Sequence, residues 1–470
     1  SRGPVPGGTS TPRRHQVHVK MLLTLLLSGM LLAPANIQAA RAQARDWSTF
    51  LWDDGHTGFN STETVITPAS APNLKVHWSI QAAGHVSAQP IVANGMLYWG
   101  SYDGLEHASS LVNGTDIWTA NLGQATDCRG RVNGVLSTPT VASALIGGVM
   151  TPVVIVGGGD AKLYALNADT GKPIWSVALG TPPATFLYSP PTVFNGSVYI
   201  GVSAAEDCLH IPGAVVQLDT ATGATQHTFN VVPTGCLGGS IWSSPTIDVA
   251  TGMVYVSTGE KSKCKSTETL VDSLIELRAA DLSLVSTWQI PAAQTIMDGD
   301  FGSSPTLFNA IIGGVARAMV GLVNKNGIFY AFDRTNLGAG PLWQVRLATP
   351  PGPSVSSSAW DGQSLYVAAG PTILNGVSCK GNLSALNPAT GATQWRDCLG
   401  FDALGGVIAV PGLVELADGG TFFLAAAATG ATLFKFRDTH SHSMFLGPGS
   451  VSNGVLYQGN MDGLMYAFGL

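Results

Sequence analysis

A recurring pattern of short strands and tight turns constrains the fold of this chain more than any other feature. Its clearest copy runs from Val153 to Trp175 and reads VVIVGGGDAKLYALNADTGKPIW. Two apolar, β-rich runs are separated by a Gly-rich turn, and an Asp-Thr-Gly-Lys turn joins the second run to a third that ends in Trp. This pattern predicts three consecutive antiparallel strands joined by hairpins.

Copies of the closing turn recur about 40 to 60 residues apart, which is the period of four-stranded propeller blades. A small-polar inner strand, such as the one at Ser243-Ser244-Pro245, precedes several of them. Counting the turns predicts seven units of four strands each. The turns are Asn113-Gly114, Thr170-Gly171, Thr222-Gly223, Thr390-Gly391 and Thr429-Gly430, with degenerate copies at Leu282-Ser283 and Leu337-Gly338.

The two ends of the repeat region together complete an eighth unit. The C-terminal sequence VLYQGNMDGLMYAF supplies strands that lack an outer strand, whereas Leu74–Trp78 reads as an outer strand without a blade of its own. Joining them closes the ring and removes the open sheet edges. The sequence therefore predicts an all-β fold: one eight-bladed β-propeller of four-stranded antiparallel blades over residues 45–470. Its 57 glycines and 11% charged residues suit such a turn-rich, well-buried fold.

Residues 1–44 are predicted to be a signal peptide and its upstream segment. Basic residues that include Arg13-Arg14 precede the apolar run Met21–Ala33, and Ala42-Gln43-Ala44 offers a cleavage site. A membrane anchor is the alternative, although the run is short for a membrane span. We therefore expect a periplasmic or extracellular protein without a transmembrane anchor in the mature chain. The net charge of −6, without a basic cluster in the body, argues against nucleic acid as a partner.

The strand order places all six cysteines in loops on one face of the disc. In an exported chain these cysteines can be oxidised to disulfides. Cys379–Cys398 and Cys208–Cys236 bracket equivalent strand pairs and are the predicted disulfides, while Cys128–Cys264 remains by elimination. Free or metal-binding thiols are the alternative, but no CxxC spacing supports a metal.

The same face collects unusual polar residues from three adjacent blades, at one end of the ring's axis. Each alone is more commonly a solvated turn residue or a packing residue. Several carboxylates in one mouth repel one another, however, and a hard cation with oxygen ligands offsets that repulsion. The residues are Glu206, Asp207, Trp242, Glu260, Asp298, Asp300 and Lys325.

The segments that carry these residues resemble one known family. They read YIGVSAAE, IWSSP, VYVSTGE, MDGDFGSSPTL and NKNGIFYAFDR, and the opening WSTFLWDDGHTGFN is similar as well. The chain from Trp47 to Leu470 thereby resembles the pyrroloquinoline quinone (PQQ) dehydrogenases, especially the polyvinyl-alcohol dehydrogenase-like branch. The resemblance implies the same propeller fold and a role for each matching residue.

The resemblance implies that Asp298 is the catalytic base, although Met297 stands where the family usually has Trp. It assigns Trp242 to the stacking platform of the quinone ring and Lys325 to the basic residue that contacts the quinone. The family's vicinal Cys-Cys pair, which covers the other quinone face, is absent here. Cys128 in DCRGRVNG is at most a remnant of it.

The resemblance also implies a metal ion, either Ca²⁺ or a lanthanide. Glu206 matches the family's metal-binding Glu, and Glu260 stands where the family has a metal-binding Asn. Asp300 matches an acid that is an extra ligand in the lanthanide-using branch. In the reaction that the resemblance implies, the ion would act as a Lewis acid on the quinone.

The implied function is an exported, PQQ- and metal-dependent dehydrogenase that oxidises a small or polymeric alcohol. The sequence has no CxxCH haem motif, so a separate acceptor such as a cytochrome c would receive the electrons. The main alternative is a non-catalytic propeller that acts as a scaffold for a protein or polymer, because fold alone does not carry function. A hydrolase or lyase that uses the acidic mouth is a further alternative, and no nucleophile motif supports it.

Overall fold

The computed structural model describes Gly3 and residues 46–204, 209–263, 268–350, 352–439 and 443–470. The predicted signal peptide lies outside the described residues apart from Gly3, and it stays a prediction. In the part of the chain that is described, no helix combines the length and the apolar character needed to cross a bilayer.

The described chain is built from antiparallel four-stranded sheets, one for each blade of a propeller. Within a blade the strands follow chain order from the inner strand to the outer strand. Among the described residues of the first half, one short hairpin and one short strand add to this plan. Blade 1 has β2 (Ile91–Ala93), β3 (Met96–Gly100), β4 (Leu105–Ser110) and β5 (Asp116–Asn121), followed by the hairpin β6 (Ala125–Thr126) and β7 (Val132–Asn133); blade 2 has β8 (Thr140–Ile146), β9 (Val149–Gly157), β10 (Lys162–Asn167) and β11 (Pro173–Ala178); β12 (Thr185–Phe186) pairs with the second strand of blade 3, which has β13 (Thr192–Phe194), β14 (Ser197–Ala204), β15 (Ala214–Asp219) and β16 (Thr225–Asn230); blade 4 has β17 (Thr246–Asp248), β18 (Met253–Ser257), β19 (Ser273–Arg278) and β20 (Leu284–Gln289).

Blades 5 to 8 repeat the plan, and the predicted closure is confirmed. The N-terminal strand β1 (Lys75–Gln81) pairs antiparallel with the last strand of the chain, from Lys75 opposite Gly469 to Gln81 opposite Leu464. In the described part of the chain, 3₁₀ helices lie in loops at Ala71–Asn73, Ala292–Gln294 and Leu337–Ala339. Blade 5 has β21 (Thr306–Ile312), β22 (Val315–Val323), β23 (Ile328–Asp333) and β24 (Trp343–Arg346); blade 6 has β25 (Ala359–Trp360), β26 (Leu365–Ala369), β29 (Gly381–Leu386) and β30 (Thr393–Leu399), with the hairpin β27 (Thr372–Leu374) and β28 (Val377–Cys379) inserted; blade 7 has β31 (Ile408–Val410), β32 (Leu413–Asp418), β33 (Thr421–Ala426) and β34 (Thr432–Arg437); blade 8 has β35 (Ser450–Ser452), β36 (Val455–Gly459) and β37 (Leu464–Gly469), completed by β1.

At the recurring Gly turns, a tryptophan from the neighbouring blade packs against the glycine and donates a hydrogen bond to a carbonyl near the turn. Trp118 on the outer strand of blade 1 donates its indole N–H to the carbonyl of Ala168 in blade 2, at 2.8 Å. Its ring lies over Gly171 of the blade 2 turn, where an added Cβ would come within 2.5 Å of the indole, and Gly171 has a φ of +69°. The turn therefore needs glycine both for its backbone conformation and for the ring above it. The same arrangement recurs for Trp78 over Gly114, Trp175 over Gly223, Trp343 over Gly391 and Trp395 over Gly430.

Residues 46–60 run along the inside of the ring. The inner strand of each blade has its free edge toward the axis, and the segment pairs with several of these edges. His56 in this segment is fully buried and bonds Thr246 Oγ1 and Ser244 Oγ of blade 4. The protein's own chain therefore occupies the axial side of six inner strands. Backbone N–H groups of those strands donate to carbonyls of the segment: Val92 to Trp47, Val141 to Ser48, Ile247 to Asp54, Leu307 to Gly55, Trp360 to Thr57 and Ala409 to Gly58.

The predicted disulfide Cys379–Cys398 is present, with an S–S distance of 2.05 Å. Cys128 and Cys236 are also disulfide-bonded. Their predicted partners, Cys264 and Cys208, lie outside the described residues, so these two pairings stay predictions.

Candidate functional site

A cavity of about 310 Å³ lies between the loops of blades 3, 4 and 5, on the face that carries the long insertions. Its charged, polar and aromatic lining comes from residues that begin an inner strand or follow a second strand. Four of the predicted site residues are among them. These lining residues are Tyr188, His210, Trp242, Glu260, Asp300 and Lys325.

Small residues form the rest of the wall and leave room for a ligand. They are Ser203, Ala204, Gly238, Ser240 and Gly259. A Cβ at Gly259 would stand 3.5 Å from Asp300 Oδ2 and would take up part of this space. The cavity therefore combines an indole, an ammonium group and carboxylates around an open centre, which is a composition typical of ligand sites.

Trp242 precedes the inner strand of blade 4, and its indole reaches across to the next blade. Gly302 stands at the equivalent position of blade 5, in GSSP against WSSP. A Cβ added to Gly302 would lie only 2.0 Å from Cη2 of Trp242. The indole therefore occupies space that blade 5 leaves by having glycine there.

Lys325 links the predicted base to the buried acid. Its Nζ lies 2.6 Å from Asp298 Oδ1 and 2.6 Å from Asp300 Oδ1. It also lies 5.8 Å from the centre of the Trp242 ring, and the Trp242 indole N–H donates to Asp300 Oδ2 at 3.1 Å. The Asp298 side chain is 59% exposed, so it is open to an incoming molecule. Its φ of +54° is a left-handed conformation that is uncommon for a residue with a side chain.

Burial and charge act in opposite directions on these groups. Burial raises the pKa of Asp300, although the ammonium of Lys325 and the indole N–H of Trp242 pull it down. Burial lowers the pKa of Lys325, but Asp300 and Asp298 outweigh it and the net pKa of the amine is raised. The lysine is therefore held in its charged form beside the two acids.

Asp272 is an acid of this mouth that the sequence did not single out. It comes directly before β19, and its backbone N–H donates to the carbonyl of Gly259. Burial, together with Asp300 and Glu260, raises the pKa of Asp272 to about 7. Its Oδ1 is buried and has no hydrogen-bond partner among the described residues. Only the folding of the blade 4 loop brings it to the cluster, and no motif marks it.

The structure brings five of the seven predicted site residues together. Trp242, Glu260, Asp300 and Lys325 line one cavity, and Asp298 joins it through Lys325. Cys128 is not among the described lining residues. Glu206 and Asp207 lie outside the described residues. In the ranges that the structure describes, no three His, Cys, Asp or Glu side chains converge closely enough to hold a metal ion.

The chemistry of the cavity can be compared with that of the groups the family uses. A flat aromatic acid matches an indole platform next to an ammonium group and small wall residues. The carboxyl groups of Glu260 and Asp272 offer oxygen donors of the kind hard cations prefer, and Oδ1 of Asp272 is buried without a hydrogen-bond partner among the described residues. The residues present therefore fit a quinone, and their donor chemistry fits a hard cation.

The chain is thus an eight-bladed propeller with a polar cavity, lined in part by an indole, between the loops of blades 3, 4 and 5. A family model described as "PQQ: Glucose/ethanol/alcohol dehydrogenase, beta-propeller domain" matches residues 47–368. The chain belongs to this family, which confirms the resemblance seen in the sequence.

Individual relatives agree with that assignment. The chain is 26% identical over 359 residues to the polyvinylalcohol dehydrogenase of Sphingopyxis sp. (strain 113P3), covering 67% of this chain and 52% of the relative. It is 26% identical over 337 residues to the quinohemoprotein alcohol dehydrogenase of Comamonas testosteroni, covering 64% and 46%. The chain thus spans about half the length of these curated relatives. The solved quinohemoprotein alcohol dehydrogenase ADHIIG of Pseudomonas putida HK5 has a similar fold, with a TM-score of 0.76 at 17% identity over 93% of this chain and 82% of that one.

Proposed function

We propose that this chain is a PQQ- and metal-dependent dehydrogenase that oxidises an alcohol. One observation carries the proposal: Trp242 and Lys325 line the same cavity as Glu260 and Asp300, and Lys325 is paired with Asp298 at its edge. A propeller that served only as a scaffold would have no need for an exposed carboxylate, an ammonium and an indole at these separations. The scaffold alternative is therefore not favoured.

Each residue has a distinct task in this proposal. When bound, the quinone would accept the hydride of the alcohol and the cation would polarise the quinone carbonyl. Trp242 would present its indole face to the ring of the ligand. Asp298, with its exposed carboxylate, would accept the proton of the substrate hydroxyl. Lys325 would then stabilise negative charge that develops beside its ammonium group.

The metal would be held by Glu206 and Glu260, with oxygen as the donor atom on both side chains. Glu260 lines the cavity. Asp272 adds a further carboxyl group next to it, whose pKa is raised to about 7 by burial and by the nearby Asp300 and Glu260. The residues favour a hard cation such as Ca²⁺ or a lanthanide over a soft one. Asp300, the predicted third ligand, has protein donors in contact with both of its oxygens.

Export to an oxidising compartment is part of the proposal. Disulfides form and persist outside the reducing cytosol, and the chain has one between Cys379 and Cys398. Periplasmic or extracellular location would also agree with the predicted signal peptide. Electrons would pass to a separate protein such as a cytochrome c, and the substrate would be a small or a polymeric alcohol.

The experiment is reconstitution of the purified protein with PQQ and either Ca²⁺ or a lanthanide salt. We expect bound-quinone absorbance and reduction of an artificial dye in the presence of simple alcohols or polyvinyl alcohol. Asp298→Asn should abolish dye reduction while quinone binding is kept. Asp281→Asn, an exposed acid of the blade 4 turn on the opposite face, is the matched control and should behave like the unmodified chain. Absence of bound quinone under every metal would favour the scaffold.

A further inference from the structure

Both oxygens of the Asp300 carboxylate lie close to polar groups of other side chains of the cavity. The residue is 9% exposed. Its Oδ1 lies 2.6 Å from Lys325 Nζ, and its Oδ2 accepts the indole N–H of Trp242 at 3.1 Å. Each oxygen is thus in contact with a different donor. These two donors belong to the residues that the proposed function assigns to the quinone.

The backbone around Asp300 is held as well. The Asn324 side-chain amide donates to the carbonyl of Gly299 at 2.7 Å, and the N–H of Phe301 donates to the carbonyl of Thr258. The acid therefore stands on a loop that is tied both to its own blade and to blade 4. A carboxylate anchored in this way can fix the positions of the groups bound to it.

Trp242 and Lys325 both need such an anchor. A buried indole N–H requires an acceptor, and the lysine ammonium sits at the end of a flexible four-carbon stem. Asp300 gives each of them a charge-assisted contact, which is stronger than a neutral hydrogen bond. It thereby sets the 5.8 Å separation between the ammonium and the indole ring.

A metal ion bound to Oδ1 of Asp300 would lie next to the Lys325 ammonium, which is 2.6 Å from the same oxygen, and the two positive charges would repel each other. A metal ion bound to Oδ2 would compete with the indole N–H of Trp242 for that oxygen. We therefore propose that Asp300 is a positioning residue that clamps Trp242 and Lys325 in place, rather than a ligand of the metal. The purpose of the clamp rests on the proposed function, but the clamp itself can be tested without any cofactor.

The test compares the unmodified chain with Asp300→Asn and Asp300→Ala in buffer that contains a metal chelator. Asn is isosteric and keeps an acceptor for the indole, but it cannot pair with Lys325 as an ion; Ala removes both contacts. The first readout is acrylamide quenching of the Trp242 emission, obtained as the difference from the same variants in a Trp242→Phe background. The second is the affinity for PQQ alone, measured by quenching of tryptophan fluorescence. Asp281→Asn is the control, and thermal unfolding reports whether each variant is folded.

We expect Trp242 to become more accessible to acrylamide in Asp300→Ala but not in Asp300→Asn. We also expect PQQ affinity without metal to fall by roughly tenfold in Asp300→Asn and further in Asp300→Ala, the range for losing contacts to a charged group.

If both variants match the unmodified chain under chelator and differ only when Ca²⁺ or a lanthanide is added, Asp300 is a metal ligand and the clamp is refuted. If the unmodified chain binds no PQQ even with Ca²⁺ or a lanthanide, the proposed function fails, while the acrylamide comparison under chelator still decides the clamp. If Asp300→Ala does not fold, Asp300→Asn decides by its PQQ affinity under chelator.

Discussion

Relative to the unmodified chain, the variant Glu415→Gln should have a higher free energy of unfolding at neutral pH than at acidic pH. Glu415 lies on β32 of blade 7 and is 1% exposed. Its Oε2 accepts the N–H of Gly449 in blade 8 at 3.3 Å, whereas Oε1 is buried without a partner among the described residues. Burial raises the pKa of this carboxyl from 4.5 to about 8, because the N–H of Gly449 offsets only part of the lost hydration. The folded chain therefore keeps a proton that the unfolded chain releases.

The magnitude follows from the difference between the two pKa values. Between pH 4.5 and pH 8 the folded state binds more protons than the unfolded state, so the free energy of unfolding falls as the pH rises. Each pH unit in this window costs about 1.4 kcal/mol, which amounts to about 3 kcal/mol at pH 7. Gln has the same shape and accepts the same N–H, but it does not ionise. Any cost of its buried amide is the same at every pH.

Urea unfolding followed by tryptophan fluorescence at pH 5 and pH 7 measures the effect. The free energy of unfolding of Glu415→Gln, relative to the unmodified chain, should rise by about 2 to 3 kcal/mol between the two pH values. Asp169→Asn, at an exposed turn of blade 2, is the control and should show no such change. Equal differences at pH 5 and pH 7 for Glu415→Gln would mean that the carboxyl ionises normally in the folded protein, and the argument from burial would be wrong.

Three further substitutions test other parts of the structure. Burial lowers the pKa of His56 to about 3, so the unfolded chain takes up the proton first and the free energy of unfolding falls as the pH drops below about 6.5. Urea unfolding of the unmodified chain at pH 6 and pH 4 should show a loss of about 1.4 kcal/mol per pH unit. His56→Gln should remove this loss, and an unchanged pH dependence in the variant would contradict the prediction. Gly302→Ala places a Cβ 2.0 Å from the Trp242 indole, so we expect altered Trp242 emission and weaker PQQ binding, and identical spectra and binding would refute the contact. Trp118→Phe loses the hydrogen bond to the carbonyl of Ala168 and should lower the free energy of unfolding by about 1 to 2 kcal/mol in urea, whereas no loss would show that this bond does not hold blades 1 and 2 together.

The propeller was predictable because its determinants are local and repeated. Turn residues such as Thr170-Gly171 and Thr222-Gly223 specify hairpins on their own, and their spacing specifies the blade. Even the ring closure could be predicted, since an outer strand at Leu74–Trp78 without a blade matches a final blade without an outer strand. The path of residues 46–60 could not, because it depends on backbone bonds to six inner strands that are distant in sequence.

The candidate site was predictable only in part, and the limit is again one of distance along the chain. Trp242, Glu260, Asp300 and Lys325 stand in motifs, and the repeat places those motifs at one end of the axis. Asp272 has no motif and reaches the mouth only because its loop folds back on Gly259. The contacts that Asp300 makes with Lys325 and Trp242 likewise could not be predicted from the sequence.

The site owes its asymmetry to substitutions at a position that every blade repeats. The residue before the small-polar inner strand is Leu136 in blade 2, Tyr188 in blade 3, Trp242 in blade 4 and Gly302 in blade 5. Because the blades are related by rotation about the axis, these side chains start at the same height and differ only in size and chemistry. A large indole in one blade is accommodated by a glycine in the next, and the two aromatic residues line one cavity. A backbone built from near-identical units can therefore carry a single site, because the ring supplies equivalent positions and the side chains make one sector of it unlike the others.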